Sequence, residues 1–129
     1  MTEKQITYEI RGAIYETYKA LGPGMLENDY EEVLCYFLKK RNLKVERQKE
    51  LPIIIDNHKL ESKMRLDLLV EDTIIVELKA VNEMKDIFYQ QLLSYLKIAH
   101  LHTGILVNFN TNDITKSIWN KVNGFSNCQ

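Results

Sequence analysis

Asp67, Glu77 and Lys79 are the side chains in this sequence whose types and spacing could do chemistry together. They lie in residues 64–81, which read as two strands, about 64–70 and 74–81, joined by a polar turn at Glu71-Asp72-Thr73. Side chains alternate faces along a strand. Leu66, Leu68 and Val70 should therefore share one face of the first strand, and Ile74, Val76, Leu78 and Ala80 one face of the second. Asp67, Glu77 and Lys79 fall on the other face. With a three-residue turn, Val70 pairs with Ile74 and Asp67 stands directly opposite Glu77. Opposed Cβ atoms are about 4.5–5.5 Å apart, and like charges there are destabilising. A solvated face of a half-exposed hairpin would tolerate such a pair. So would a site for a hard divalent cation such as Mg²⁺, which takes one or two carboxylates plus waters and phosphate oxygens. Lys79 could then orient a water or stabilise charge on a phosphate.

Other groups carry weaker chemistry. His100 and His102 could present two imidazoles to zinc, but no cysteine or carboxylate lies nearby in sequence. Lys39, Lys40, Arg41, Lys44, Arg47 and Lys49 form a basic stretch tempered by Glu46. It suits either phosphate contacts or a solvated helix end. No serine or cysteine stands with a credible base, and no glycine-rich phosphate loop is present.

The elements that must position these residues can be read from periodicity. Residues 4–21 space Ile6, Ile10, Ala13, Ile14 and Leu21 as an amphipathic helix, stopped by Gly22-Pro23-Gly24. A second helix, about 25–42, should bury Leu26, Tyr30, Val33, Leu34, Phe37 and Leu38 and end at Asn42. Strands are expected at 44–50 and 52–56, then a turn at Asn57-His58 and a short return into the central hairpin. A helix over 84–100 should bury Phe88, Leu92, Tyr95, Leu96 and Ala99. Gln91 lies at helical spacing from Ile87, Tyr95 and Ile98. The apolar run 103–109 suits a buried strand. A last helix, about 113–123, should bury Ile114, Ile118 and Val122, with Trp119 beside them. The strand–helix–strand passage over 74–109 requires a parallel pair, hence an α/β sandwich.

The chain of 129 residues is expected to form one domain, 1–129, with a core of ordinary size. Hydrophobic residues make up 45% and charged residues 27%, and the formal net charge of −1 gives no global attraction to polyanions. No apolar run approaches a membrane span and the first residues do not read as a signal peptide. Cys35 and Cys128 read as free thiols, so a cytoplasmic protein is expected.

An acidic residue on one strand followed by Glu-x-Lys on the next, here Asp67 and Glu77-Leu78-Lys79, resembles the PD-(D/E)XK nuclease superfamily. Residues Gly24-Met25-Leu26-Glu27-Asn28-Asp29-Tyr30 resemble the motif of the small prokaryotic GxxExxY proteins assigned to it. The likeness continues through Gln91-Leu92-Leu93-Ser94-Tyr95 and Leu106-Val107-Asn108-Phe109-Asn110, and covers most of residues 8–123. One departure is Leu66, where the superfamily name has proline. The resemblance implies a restriction-endonuclease-like αβββαβ core, a mixed central sheet flanked by helices. It also implies a nuclease acting on DNA or RNA with Mg²⁺ or Mn²⁺. Asp67, Glu77 and the Leu78 carbonyl would hold the metal, and Lys79 would serve the water or the phosphate. Glu27 would complete the acidic cluster or orient the water, and Gln91 would brace the site. The other reading is a catalytically idle module of the same fold that binds a protein or nucleic acid. So small a domain offers little surface to grip a duplex, which makes a homodimer or a protein partner compatible with either.

Overall fold

The computed structural model describes residues 1–124. Cys128 lies outside them, while Cys35 is a buried free thiol. Helix α1 spans Glu3–Leu21 and begins with a reciprocal cap, in which Gln5 N–H donates to Thr2 Oγ1 at 3.1 Å and Thr2 N–H to Gln5 Oε1 at 2.8 Å. Gly22 and Gly24, at φ 66° and 95°, then turn the chain in a region that favours glycine. Helix α2 follows over Glu27–Lys40 and ends where Asn42 adopts φ 63°. Its buried stripe is Tyr30, Glu31, Leu34, Cys35 and Leu38. Leu26, expected in the core, precedes the first turn and is 73% exposed.

Strands β1 (Val45–Ile55) and β2 (His58–Val70) form one long hairpin rather than the three shorter segments expected at 44–50, 52–56 and 64–70. The register shifts between Pro52 and Ile54, where the extra residues lie in β2 between Lys59 and Lys63. The turn is Asp56-Asn57, not Asn57-His58; both residues have positive φ, 51° and 65°, as a two-residue hairpin turn requires. Strand β3 (Ile74–Lys79) pairs antiparallel with β2 in the expected register, Val70 opposite Ile74. Helix α3 (Asp86–Ala99) crosses to β4 (Thr103–Asn108), which lies parallel to β3 and is buried throughout. The αβββαβ order runs from α2 to β4.

The end of the chain departs from expectation. Residues 114–116 form a short 3₁₀ turn, and β5 (Ile118–Val122) pairs antiparallel with β4. Ile114, Ile118 and Val122 recur every four residues, which fits both a helical period and twice the strand period, so the spacing could not separate them. Val122 is consequently 48% exposed at a sheet edge.

The sheet order is β1-β2-β3-β4-β5, a mixed α/β arrangement with helices on both faces. On one face α1 and α2 pack over Leu68, Val70, Ile74, Val76, Leu78, Ile105 and Val107. On the other, α3 covers Leu66, Leu69, Ile75 and Leu106 through Leu92 and Leu96. Leu66 and Leu68 thus lie on opposite faces, against the alternation expected for them. In β1 the same exchange occurs: Val45 packs with the α1/α2 cluster and Leu51 with the α3 cluster. Both strands rotate about the level of Asp67. No described helix is long and apolar enough to cross a membrane.

Candidate metal centre

The rotation of β1 and β2 coincides with the parting of β2 from β3. Ladder pairing between β2 and β3 runs from Val70–Ile74 to Leu68–Val76 and then stops, while β3 continues against β4 to Lys79–Asn108. Two backbone N–H groups at the gap are taken by side chains instead. Asp67 N–H donates to Glu77 Oε2 at 2.8 Å, and Leu78 N–H donates to Asp67 Oδ2 at 2.9 Å. The two carboxylates therefore face each other across the gap, as the hairpin register requires. Their other oxygens, Asp67 Oδ1 and Glu77 Oε1, have no hydrogen-bond donor among the described residues.

The cost of this arrangement appears in the protonation of the pair. Glu77 is only 6% exposed. Burial, then the nearby Asp67 charge, push its carboxyl up to about 8, against the opposing pull of the Asp67 N–H and Lys79. Asp67 is also raised, first by burial and then by the charges of Glu31 and Glu27, with the Leu78 N–H and Lys79 opposing. The pair holds a proton where isolated carboxylates would not. A divalent cation fits here: it would replace that proton, and the two free oxygens are hard donors of the kind Mg²⁺ and Mn²⁺ take. No three His, Cys, Asp or Glu side chains among the described residues converge on one point. A cation held here would have these two carboxylates as its side-chain donors and would be completed by backbone or water.

Lys79 follows on β3. Its Nζ lies 4.3 Å from the Phe88 ring centroid and makes no ion pair with either carboxylate, although its charge is felt by both. The backbone around it is fixed by β4: Phe109 N–H donates to the Lys79 carbonyl at 2.9 Å, and Asn108 exchanges hydrogen bonds with Val81 N–H and carbonyl at 3.1 and 3.0 Å. Asn108 is buried, and its part in holding the end of β3 was not foreseen from sequence.

The motif residues of α2 have separate tasks. Tyr30 is fully buried, stacks on Phe109 at 4.5 Å between centroids, donates to the Gly22 carbonyl and accepts from Met25 N–H. It ties the glycine loop and the start of α2 to the end of β4. Glu27, in the first turn, is exposed; its charge reaches Asp67, and among the described residues no hydrogen bond or ion pair holds it. One turn later Glu31 is 5% exposed, accepting from Arg47 Nε at 3.0 Å and Gln48 Nε2 at 2.6 Å, and its charge reaches both Asp67 and Glu77. Its spacing with Leu34, Cys35 and Leu38 put a carboxylate in the apolar stripe, which was the signal for it.

Gln91 is not within the apolar stripe of α3 but exposed, without a hydrogen bond among the described residues. One turn on, Tyr95 is the α3 side chain whose hydroxyl feels the site; burial, then the Glu77 and Asp67 charges, raise its pKa. The remaining candidates lie elsewhere. His100 ends α3 with a left-handed backbone, and His102 Nδ1 meets Glu3 Oε1 at 2.9 Å. Four cations of the basic stretch are held by carboxylates: Arg41 by Glu9 and Glu16, Lys44 by Asp72, Arg47 by Glu31 and Lys49 by Glu46.

No curated protein and no solved structure shows significant similarity to the chain. The family model of the PD-(D/E)XK nuclease superfamily, by contrast, matches residues 4–122, a span that takes in both carboxylates, the lysine and the helices that enclose them. With the opposed Asp67 and Glu77 at a parting of strands, this match establishes that the chain belongs to the PD-(D/E)XK nuclease superfamily.

Proposed function

We propose that this chain is a nuclease that hydrolyses phosphodiester bonds of DNA or RNA at Asp67, Glu77 and Lys79, with Mg²⁺ or Mn²⁺ as its cation. The observation that carries the reading is the opposed carboxylate pair, Glu77 buried and Asp67 half-buried, with one oxygen of each free of donors among the described residues. Asp67 and Glu77 would hold the cation, with the Leu78 carbonyl as a further donor. A bound cation would supply Lewis acidity toward a phosphate oxygen and a water of lowered pKa. Lys79, aimed by the Phe88 ring, stabilises negative charge that builds on the attacked phosphate. Glu27, unpaired at the start of α2, orients the attacking water, and Gln91 meets the substrate from the exposed side of α3.

Within the superfamily, Gly24, Glu27 and Tyr30 favour membership of the GxxExxY group. In this reading residues 1–129 form one cytoplasmic domain acting on nucleic acid, as a homodimer or with a protein partner. The test is a cleavage panel of single- and double-stranded DNA and RNA with Mg²⁺ or Mn²⁺. Asp67→Ala and Glu77→Ala should each lower cleavage by more than about a hundredfold with circular dichroism unchanged. Cleavage that survives in both variants, or none by the wild type, would overturn the reading in favour of a non-catalytic binding module.

A further inference from the structure

We infer that Glu31 and Gln48 act together as positioning residues for Asp67, a role that rests on the reading of Asp67 and Glu77 as the reactive pair. Gln48 lies inside β1 yet has φ 49°. Non-glycine residues rarely enter this region, and do so where their surroundings over-determine them. Arg47 pairs with Leu68 and Lys49 with Leu66, which leaves Gln48 opposite Asp67 at the level where both strands exchange faces. What holds Gln48 there is α2. Its side-chain amide donates to Glu31 Oε1 at 2.6 Å, and the preceding Arg47 donates to Glu31 Oε2 at 3.0 Å. Glu31 is buried while Gln48 is exposed, so the tether is shielded from water on the α2 side only.

The consequence falls on Asp67. A regular β2 would keep Leu66 and Leu68 on one face and continue its ladder past residue 67. The rotation instead turns the Asp67 carboxylate across the gap to β3, where Oδ2 receives the Leu78 N–H. Departures of this kind beside a site re-aim a side chain. Glu31 thus acts through Gln48 and not by contact with substrate. Supporting contacts of this type change metal affinity by about 10–100-fold when removed.

The experiment measures Mn²⁺ affinity by water-proton relaxation, with the metal alone as probe, and hydrogen exchange of the Leu78 amide in metal-free protein. Glu31→Ala and Gln48→Ala should each weaken Mn²⁺ binding by about tenfold and accelerate Leu78 exchange relative to β4 amides. The double variant should be no worse than either, because both remove one tether. Glu31→Gln, whose amide oxygen still accepts from Gln48, should stay within about threefold of wild type. Equal losses in Glu31→Gln and Glu31→Ala would overturn the inference, since Glu31 would then act by its charge or through Arg47 rather than through Gln48. Unchanged Leu78 exchange in Gln48→Ala would overturn it as well, and that variant decides the matter if Glu31→Ala does not fold. If the wild type binds no Mn²⁺, the metal reading fails and Leu78 exchange alone judges the tether: acceleration rescued by Glu31→Gln upholds it, uniform protection rejects it.

Discussion

Glu77→Gln should stabilise the metal-free protein in alkaline solution and leave it nearly unchanged in acid. The Glu77 carboxyl rises from 4.5 to about 8 in the fold, chiefly through burial and then through Asp67. A group raised in this way binds its proton more tightly folded than unfolded. Its contribution to stability is complete below pH 4.5 and is lost as pH climbs through about 8. At about 1.4 kcal/mol per unit the full rise corresponds to about 5 kcal/mol, of which about 3 kcal/mol falls between pH 5.5 and 8.5. The amide of the variant still accepts the Asp67 N–H but carries no charge to bury. Urea unfolding in the presence of a chelator, at pH 5.5 and 8.5, measures the difference. The wild type should lose about 3 kcal/mol relative to the variant over that range, and saturating Mg²⁺ should abolish the loss. The carboxylates of Asp72, Asp113 and Glu3 are held below their ordinary values, so their changes fall in more acid solution and do not enter this window. Parallel pH profiles for wild type and variant would refute the reasoning.

Two further outcomes follow from the same geometry. Lys79→Ala should reduce cleavage by about a hundredfold while Mn²⁺ affinity changes by less than about threefold, because Lys79 rests on Phe88 and pairs with neither carboxylate; comparable losses in both quantities would contradict this. Gly104→Ala should destabilise the fold by about 1–3 kcal/mol in denaturant unfolding, since a Cβ there would lie 2.7 Å from Leu92 Cδ1 in the α3 core, and an unchanged midpoint would contradict it.

How much was legible in the chain depends on whether local signals decided the matter. Helices α1, α2 and α3 and the hairpin around Glu71–Thr73 announce themselves through periodicity and turn chemistry, and the opposition of Asp67 to Glu77 follows from counting turn residues. The exchange of faces at Asp67 was not legible. It depends on Gln48 in β1 adopting a left-handed backbone because Glu31 on helix α2 holds its side chain, a tertiary cause that overrides alternation. Strand β5 was misread because a four-residue recurrence serves either period and only the exposed edge of β4 decides between them. Gln91 shares the helical spacing of Ile87, Tyr95 and Ile98, but Ile87, one turn before it, is itself 59% exposed. The GxxExxY residues were recognisable as a motif, yet their physical division of labour required the structure. Gly24 supplies a positive φ, Tyr30 anchors the loop, and Glu27, unpaired among the described residues, acts on Asp67 through its charge.

The central claim is that Asp67 and Glu77 form a carboxylate site for a divalent cation, and calorimetric titration of Mn²⁺ into the wild type and Asp67→Asn tests it most directly. Because the pair, with Glu77 buried, retains a proton near neutral pH, binding at pH 7 should release about one proton, read from the dependence of the heat on buffer ionisation. The account predicts this proton-coupled binding in the wild type and at least tenfold weaker binding in Asp67→Asn. Binding of equal strength in the two proteins, or no binding to the wild type, would contradict it.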